Sequence, residues 1–340
     1  MLRALNAAIF ASMTTLTVGS VVAIGGRKVS GFIAVPDGVD PGTRIPVTIV
    51  TGAHDGPVLA LVAGTHGSEP SPIVALQRVR AQLDVTQLNG TVILVHIANL
   101  PSFTFRTIYR GPYDQKNLNR VFPGKADGTA SERIAHAITT QVIDQCDYLV
   151  DMHSGDGNEL LRPYSYWNNL GLDARVDRVA RDMALAFGLD HIVIDRGRPR
   201  DITATAFCSN TAHVRGKPAV TTEAGAVGVP TDAMVTLNVR GALRVMRYLK
   251  MLPGPVEMVE QPCWIDPSEV LTSPETGTWH AAVRADQQVL KGDLLGRLTD
   301  YFGEPIADVT SPMDGLVTFV VVSPAMGKGE PVAMVGKVTH

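Results

Sequence analysis

Five short apolar runs set the rhythm of the chain: VLALVAG (58–64), TVILVHIA (91–98), YLVDMH (148–153), IVIDR (192–196) and PAVTTEAG (218–225). Runs of this length with little polar alternation predict strands buried on both faces. Between them, apolar positions recur at helical spacing in SPIVALQRVRAQL (71–83), SERIAHAITTQVIDQ (131–145) and ARVDRVARDMALAFG (174–188). The same period returns in DAMVTLNVRGALRVMRYLK (232–250). Ser131 is the predicted N-cap of the second helix, and Gly188 stands where the third should stop. Buried strands alternating with helices predict an α/β architecture, a mixed or largely parallel central sheet covered on both sides.

The flanks follow other patterns. Residues 1–44 hold short strand-like pieces, VGSVVAI and GFIAVP, separated by glycine, proline and Asp-Gly, and are expected to pack as a strand-rich segment on the next domain. After Leu252 the sequence PGPVEMVEQP breaks the last helix. Beyond it, valine-rich pieces separated by turn signals predict a small all-β domain over 256–340, leaving 45–255 as the α/β unit. KGDLLGRLTD and GKGEPVAMVGKV share a G-[DE] step followed by apolar residues, a weak internal repeat. This tail resembles the barrel-sandwich domains that carry biotin or lipoate, but SPMDG replaces a lysine-bearing tip, so no covalently attached cofactor is expected.

Charge narrows the partners. A formal net charge of −3 and the lack of any lysine/arginine block argue against nucleic acid and against anionic membranes. No run approaches the roughly 18 to 20 apolar residues that span a bilayer. The N-terminal MLRALNAAIFASMTTLTVG is mildly apolar behind one arginine, but Asn6, Ser12 and several threonines interrupt it, which reads against export. Cys146, Cys208 and Cys263 form no CxxC pair and cannot all be paired, so a reducing, cytoplasmic setting is expected.

The chemistry concentrates at strand ends. In AGTHGSEPSP, His66 and Glu69 lie in the turn between a strand and a helix, where an imidazole and a carboxylate can converge on one metal. His153 closes another buried strand in YLVDMHSG. Ligands of open α/β sheets bind beyond the carboxyl ends of strands, so the three residues would face one crevice. Two histidines and a carboxylate leave a tetrahedral zinc with one open position, the catalytic pattern. Asp151, two residues before His153, is placed to fix its tautomer. Glu223, at the end of PAVTTEAG, reaches the same rim as a general base and acid, and Gly225 leaves room beside it. Arg106, Arg110 and Arg120 with Asn117 and Asn119 crowd the turn-rich FRTIYRGPYDQKNLNRVFPG. Arginine forks match a substrate carboxylate, and one of them could polarise a scissile carbonyl.

Taken together, GTHGSEP, NLNRVFPG, DMHSG and TTEAG resemble, in order, the motifs of the succinylglutamate desuccinylase/aspartoacylase family of the zinc-carboxypeptidase-like superfamily, over residues 45–250. The resemblance implies a three-layer zinc-carboxypeptidase-like domain with a barrel-sandwich-like all-β tail. It implies one Zn2+ per chain on His66, Glu69 and His153, with Glu223 catalytic and Asn119 and Arg120 on a substrate carboxylate. Arg110, ahead of Arg106, matches the arginine that assists the carbonyl, and Arg106 and Asn117 are further substrate contacts. Ser68 and Asn117 depart from the family's usual residues. The expected activity is deacylation of a small N-acyl amino acid that carries a carboxylate, by a chain that could assemble as a homo-oligomer. A peptidase, or a metal- or ligand-binding module without catalysis, is the competing reading. No G-x-S-x-G, P-loop, G-x-G-x-x-G or H-E-x-x-H occurs, which sets aside serine hydrolases, nucleotide enzymes and helical zincins.

Overall fold

The computed structural model describes residues 15–339. Residues 1–14, most of the stretch read against export, lie outside them. A hairpin of β1 (Thr15–Val18) and β2 (Val21–Ile24) precedes β3 (Arg27–Val35), β4 (Thr43–Thr51) and β5 (His54–Ala63). Then come α1 (Pro70–Gln82), β6 (Asn89–Val95), the short α2 (Leu100–Phe105) and α3 (Ala130–Gln141). After these follow β7 (Tyr148–His153), β8 (Glu159–Leu161), β9 (Tyr164–Asn168), α4 (Ala174–Phe187), β10 (His191–Asp195), α5 (Cys208–His213), β11 (Ala219–Glu223) and α6 (Asp232–Tyr248).

The central sheet runs β3-β4-β6-β5-β7-β11-β9-β10. Its middle, β6-β5-β7-β11, is parallel, and β9 enters antiparallel to β11 and parallel to β10, which makes the sheet mixed. The five apolar runs of the sequence are β5, β6, β7, β10 and β11, all among the interior strands. On one face Ile73 and Val79 of α1, Met183 and Phe187 of α4 and Val239 and Val245 of α6 share a core. On the other, Ile134 and Ile138 of α3 and Ala212 of α5 pack with Val18 and Val21 of the hairpin. Among the described residues no helix is long and apolar enough to cross a membrane.

Local chemistry explains the helix ends. Gly188 ends α4 in the left-handed region at φ 95°, and Asp173 caps its start by accepting the Arg175 and Val176 N–H groups. The cap of α3 is a correction: it is Thr129, not Ser131. The Glu132 carboxylate accepts the Thr129 N–H at 2.9 Å, closing the helix onto its own first turn. Ser131 lies inside the helix and donates its N–H and hydroxyl to Asp114 at 2.8 and 2.9 Å.

The small β domain is built from β12 (Cys263–Thr272), β13 (Gly277–Ala281), β14 (Gln288–Val289), β15 (Leu294–Thr299), β16 (Pro305–Thr310), β17 (Gly315–Val321), β18 (Ala325–Met326) and β19 (Pro331–Thr339). It does not hang from a linker. β12 adds parallel to β10, so the central sheet continues through β12, β19, β17 and β14. β8 pairs with β17, and Tyr164, Val193, Ile265, Phe319 and Met334 fill the joint. A second sheet, β16-β15-β13-β18, faces the first across Trp279, Leu295, Leu298, Val317 and Val320.

The internal repeat is longer than the sequence reading had it. TSPETG (272–277) and TSPMDG (310–315) are equivalent turns in which Ser273 and Ser311 hydroxyls donate to the Glu275 and Met313 carbonyls, each at 2.7 Å. Each turn is locked to a partner loop by a pair of backbone bonds, Gly329 and Glu330 with Ser273 in one copy, Gly292 and Asp293 with Ser311 in the other.

Candidate metal centre

The strand β5 delivers its chain into the loop GTHGSE (64–69), which must turn sharply and pass under α2. A Cβ at Gly67 would stand 2.1 Å from Phe103 N, so only glycine lets the loop lie against that helix. Glu69 is the N-cap of α1, ahead of Pro70, yet its side chain makes no capping bond. It turns back to the loop instead, at the helix end that favours negative charge.

The other side chains come from sheet register. His153 and Glu223, the last residues of β7 and β11, are direct partners, and Glu223 in turn faces Tyr164 on β9. Two residues back, Asp151, Thr221 and Tyr166 form the next row. Side chains two apart along a strand share a face, so both rows line one side of the sheet end.

Ligand atoms of His66, Glu69 and His153 lie within 4.8 Å of one another. His66 Nδ1 is 2.6 Å from Glu69 Oε1, and His153 Nδ1 is 2.9 Å from Glu69 Oε2. Both rings thus turn the same nitrogen inward, and their outer nitrogens have partners of their own. His66 Nε2 meets Asn117 Oδ1 at 3.0 Å. His153 Nε2 lies 3.2 Å from Asp151 Oδ1, within ion-pair distance though neither Asp151 oxygen meets hydrogen-bond geometry. Burial opposes charge on His153, but Asp151 and Glu69 outweigh it and hold the imidazole well above its ordinary pKa. Burial likewise opposes charge on His66, and Glu69 raises it. Glu69 itself is brought down to about 2, its own burial overcome by His153 and His66. The pocket is therefore built to hold positive charge, and two imidazoles plus a carboxylate are the donors a divalent metal takes.

A cation here must displace the protons these imidazoles retain. Its affinity is accordingly expected to rise with pH through their raised pKa values, by up to about tenfold per pH unit for each proton released. Calorimetric zinc titrations at several pH values would check this; a flat profile would contradict it.

A cavity of about 640 Å³ opens over the metal-binding residues and takes in Arg110, Asn117, Arg120, Tyr164, Tyr166 and Glu223. Burial pushes the Glu223 carboxyl well above its ordinary pKa, with His153 pulling the other way. The Arg120 guanidinium lies 4.6 Å from the Phe207 ring centroid, and Arg198 stacks on the same ring at 3.7 Å. Arg110 lines the cavity but donates to the Gln115 carbonyl at 3.0 Å.

Three expected substrate contacts sit differently. Arg106 ends α2 in the left-handed region at φ 56°, exposed, and is not among the cavity-lining residues. Asn119 is buried behind the wall, its Oδ1 accepting the Cys208 N–H at 2.8 Å and its Nδ2 3.3 Å from His153 Nε2. Asn117 reaches the cavity, but its Oδ1 is taken by His66 and by the Asn119 N–H at 2.8 Å. The His66 contact sits on the outer nitrogen of a metal-binding ring. Asn117→Ala is expected to weaken metal affinity by about 10- to 100-fold, with Asn117→Asp restoring it; competition against a chromogenic chelator would measure both.

Several residues of the cavity were not singled out in the sequence. Tyr109 donates its hydroxyl to Glu159 at 2.7 Å, and Asp156 adds its N–H at 3.1 Å. Burial raises Glu159 to about 7. Tyr164 and Tyr166 had a signal, the alternation of YSYWN, which marks β9. Val270, Phe319, Glu330 and Pro331 come from the β domain, which thus forms part of the cavity wall. No local sequence signal joins them to the metal.

The family model of the succinylglutamate desuccinylase/aspartoacylase catalytic domain matches residues 55–249. The chain is 28% identical over 322 residues to the N-alpha-acetyl-L-2,4-diaminobutyric acid deacetylase of Halomonas elongata, covering 91% of this chain and 92% of that protein. Among solved structures, the product-bound ectoine utilization protein EutE (DoeB) of Ruegeria pomeroyi is 26% identical with a TM-score of 0.79, covering 91% of this chain and 95% of its own. A succinylglutamate desuccinylase/aspartoacylase from Rhodobacter sphaeroides shares the fold at 23% identity and a TM-score of 0.79, over 92% and 96% of the two chains. A match over most of the α/β unit, around a site whose two imidazoles and carboxylate converge as a metal requires, means that this chain belongs to the succinylglutamate desuccinylase/aspartoacylase family.

Proposed function

We propose that the protein is a zinc-dependent deacylase of small N-acylated amino acids, with N-acetylated 2,4-diaminobutyrate the first substrate to test. The observation that carries this is the register of Glu223 against His153: a carboxylate that is not a metal ligand stands one strand from the metal-binding residues, on the same cavity wall. His66, Glu69 and His153 would hold a divalent cation, which would supply Lewis-acid chemistry for the amide carbonyl and the attacking water. Glu223 takes the proton from the attacking water and delivers it to the departing nitrogen, a task suited by a carboxyl whose pKa burial has raised. Arg120, facing the cavity, binds the substrate carboxylate, and Arg110 swings from Gln115 to the carbonyl oxygen. Asn119 and Asp151 act from behind, fixing the loop of Arg120 and the ring of His153. A cavity of about 640 Å³ suits an amino-acid derivative. The buried thiols of Cys146 and Cys208 favour a cytoplasmic setting.

The test is amine release from a panel of N-acetyl and N-succinyl amino acids by protein loaded with zinc. Release from carboxylate-bearing substrates, abolished by chelation, supports the reading. A zinc-loaded protein that cleaves none of them would overturn it.

A further inference from the structure

Four carboxylates line the cavity: Glu69, Glu159, Glu223 and Glu330. Three are committed. Glu69 belongs to the metal-binding triad, Glu223 is the proton carrier of the proposed reaction, and Glu159 accepts Tyr109 Oη–H on one oxygen and Asp156 N–H on the other. Glu330 is different. It makes no ion pair with any described lysine or arginine, and it comes from the β domain, in the turn that leads into β19.

The internal repeat shows what part of Glu330 is structural. In its sister loop, Asp293 accepts the Leu290 N–H on Oδ2 at 2.8 Å, and the Asp293 carbonyl accepts the Ser311 N–H at 2.8 Å. Glu330 does both jobs: Oε2 accepts the Gly327 N–H at 2.9 Å, and its carbonyl accepts the Ser273 N–H at 2.8 Å. An aspartate is therefore sufficient for this turn, and Asp293 faces solvent. In the copy that meets the cavity the acid is one methylene longer, and Oε1 has no hydrogen-bond duty in the turn. Both carboxyl oxygens lie beside Gly327, with Oε2 taken by its N–H, and the residue lines the cavity with Oε1 left unbonded.

We infer that Glu330 is a specificity residue that receives an ammonium group on the substrate, so that the β domain selects N-acylated diamino acids over neutral ones. The inference rests on the deacylase reading of the same site. With the substrate carboxylate on Arg120 and the amide at the metal-binding residues, the side chain is the remaining group to be read, and the carboxylate that the β domain adds to the cavity lining matches a cation.

The experiment compares N-acetyl-L-2,4-diaminobutyrate with its uncharged isostere N-acetyl-L-norvaline on the full, zinc-loaded chain. The wild type is expected to favour the cation, and Glu330→Gln to lower the ratio of the two kcat/KM values by about 10- to 100-fold, through KM. Glutamine still accepts the Gly327 N–H. Should that variant fail to fold, Glu330→Asp, which copies the sister turn and withdraws the charge, is expected to lower the ratio as well. An unchanged ratio in the folded variant, or a wild type that prefers the isostere, overturns the inference. Calorimetry with free L-2,4-diaminobutyrate and L-norvaline separates the two readings. A preference for the diamine that the variant loses upholds Glu330 even if neither amide is cleaved; equal affinities refute it.

Discussion

Glu223→Gln is expected to lower kcat by about 10²- to 10⁴-fold, with one metal still bound per chain and KM little changed. Glutamine keeps the size of the side chain and its place at the end of β11, opposite His153. It cannot carry a proton. Since Glu223 is not one of the three converging ligands, the metal should stay, and the loss isolates proton transfer from binding. Turnover on an N-acetylated amino acid, with metal content measured on the same sample, decides the matter. A variant that turns over like the wild type would show that a group other than Glu223 carries the proton.

The second large effect is expected at His153. With His153→Ala only His66 and Glu69 remain of the triad, too few for tight divalent binding. Zinc content should fall from about one per chain to near zero, and activity with it. The substitution also strips two buried carboxylates, Glu69 and Asp151, of the imidazole between them, so the variant will be less stable for reasons unrelated to metal. The useful readout is therefore the response to zinc. Wild-type protein should gain about 2.7 kcal/mol when free metal is a hundred times its Kd, seen as a rise in Tm, whereas His153→Ala should not respond. An equal zinc-dependent rise in both proteins would place the metal elsewhere.

Much of the α/β unit was legible because its strands are buried on both faces and leave unbroken apolar runs, as YLVDMH and PAVTTEAG do. The same property revealed the site, since His66, His153 and Glu223 each fall at or just after the end of such a run. Less visible was β9, whose polar and aromatic residues leave no unbroken apolar run, because Tyr164 and Tyr166 serve both the joint with the β domain and the cavity wall. The arginine-rich segment could be marked as a binding loop, but the fate of its side chains depends on contacts made far along the chain. Asn119 is tied to Cys208 and Asn117 to His66, and neither pairing has a sequence period. Glu330 was hidden for the same reason. Its neighbours at the cavity are assembled by the pairing of β8 with β17, between residues some 160 positions apart.

Continuity of the sheet from β10 into β12 has a consequence for shortening the protein. A chain ending at Leu252 would keep every metal-binding residue and Glu223, and on the strength of motifs alone would pass for a complete enzyme. It would also strip the partner from one side of β10, leaving a row of bare N–H and C=O groups beside the apolar Val193 and Ile192. Such an exposed edge pairs readily with another chain. The β domain is in this sense a cover as well as a wall, and truncation should show itself first as aggregation, before any change in selectivity could be measured.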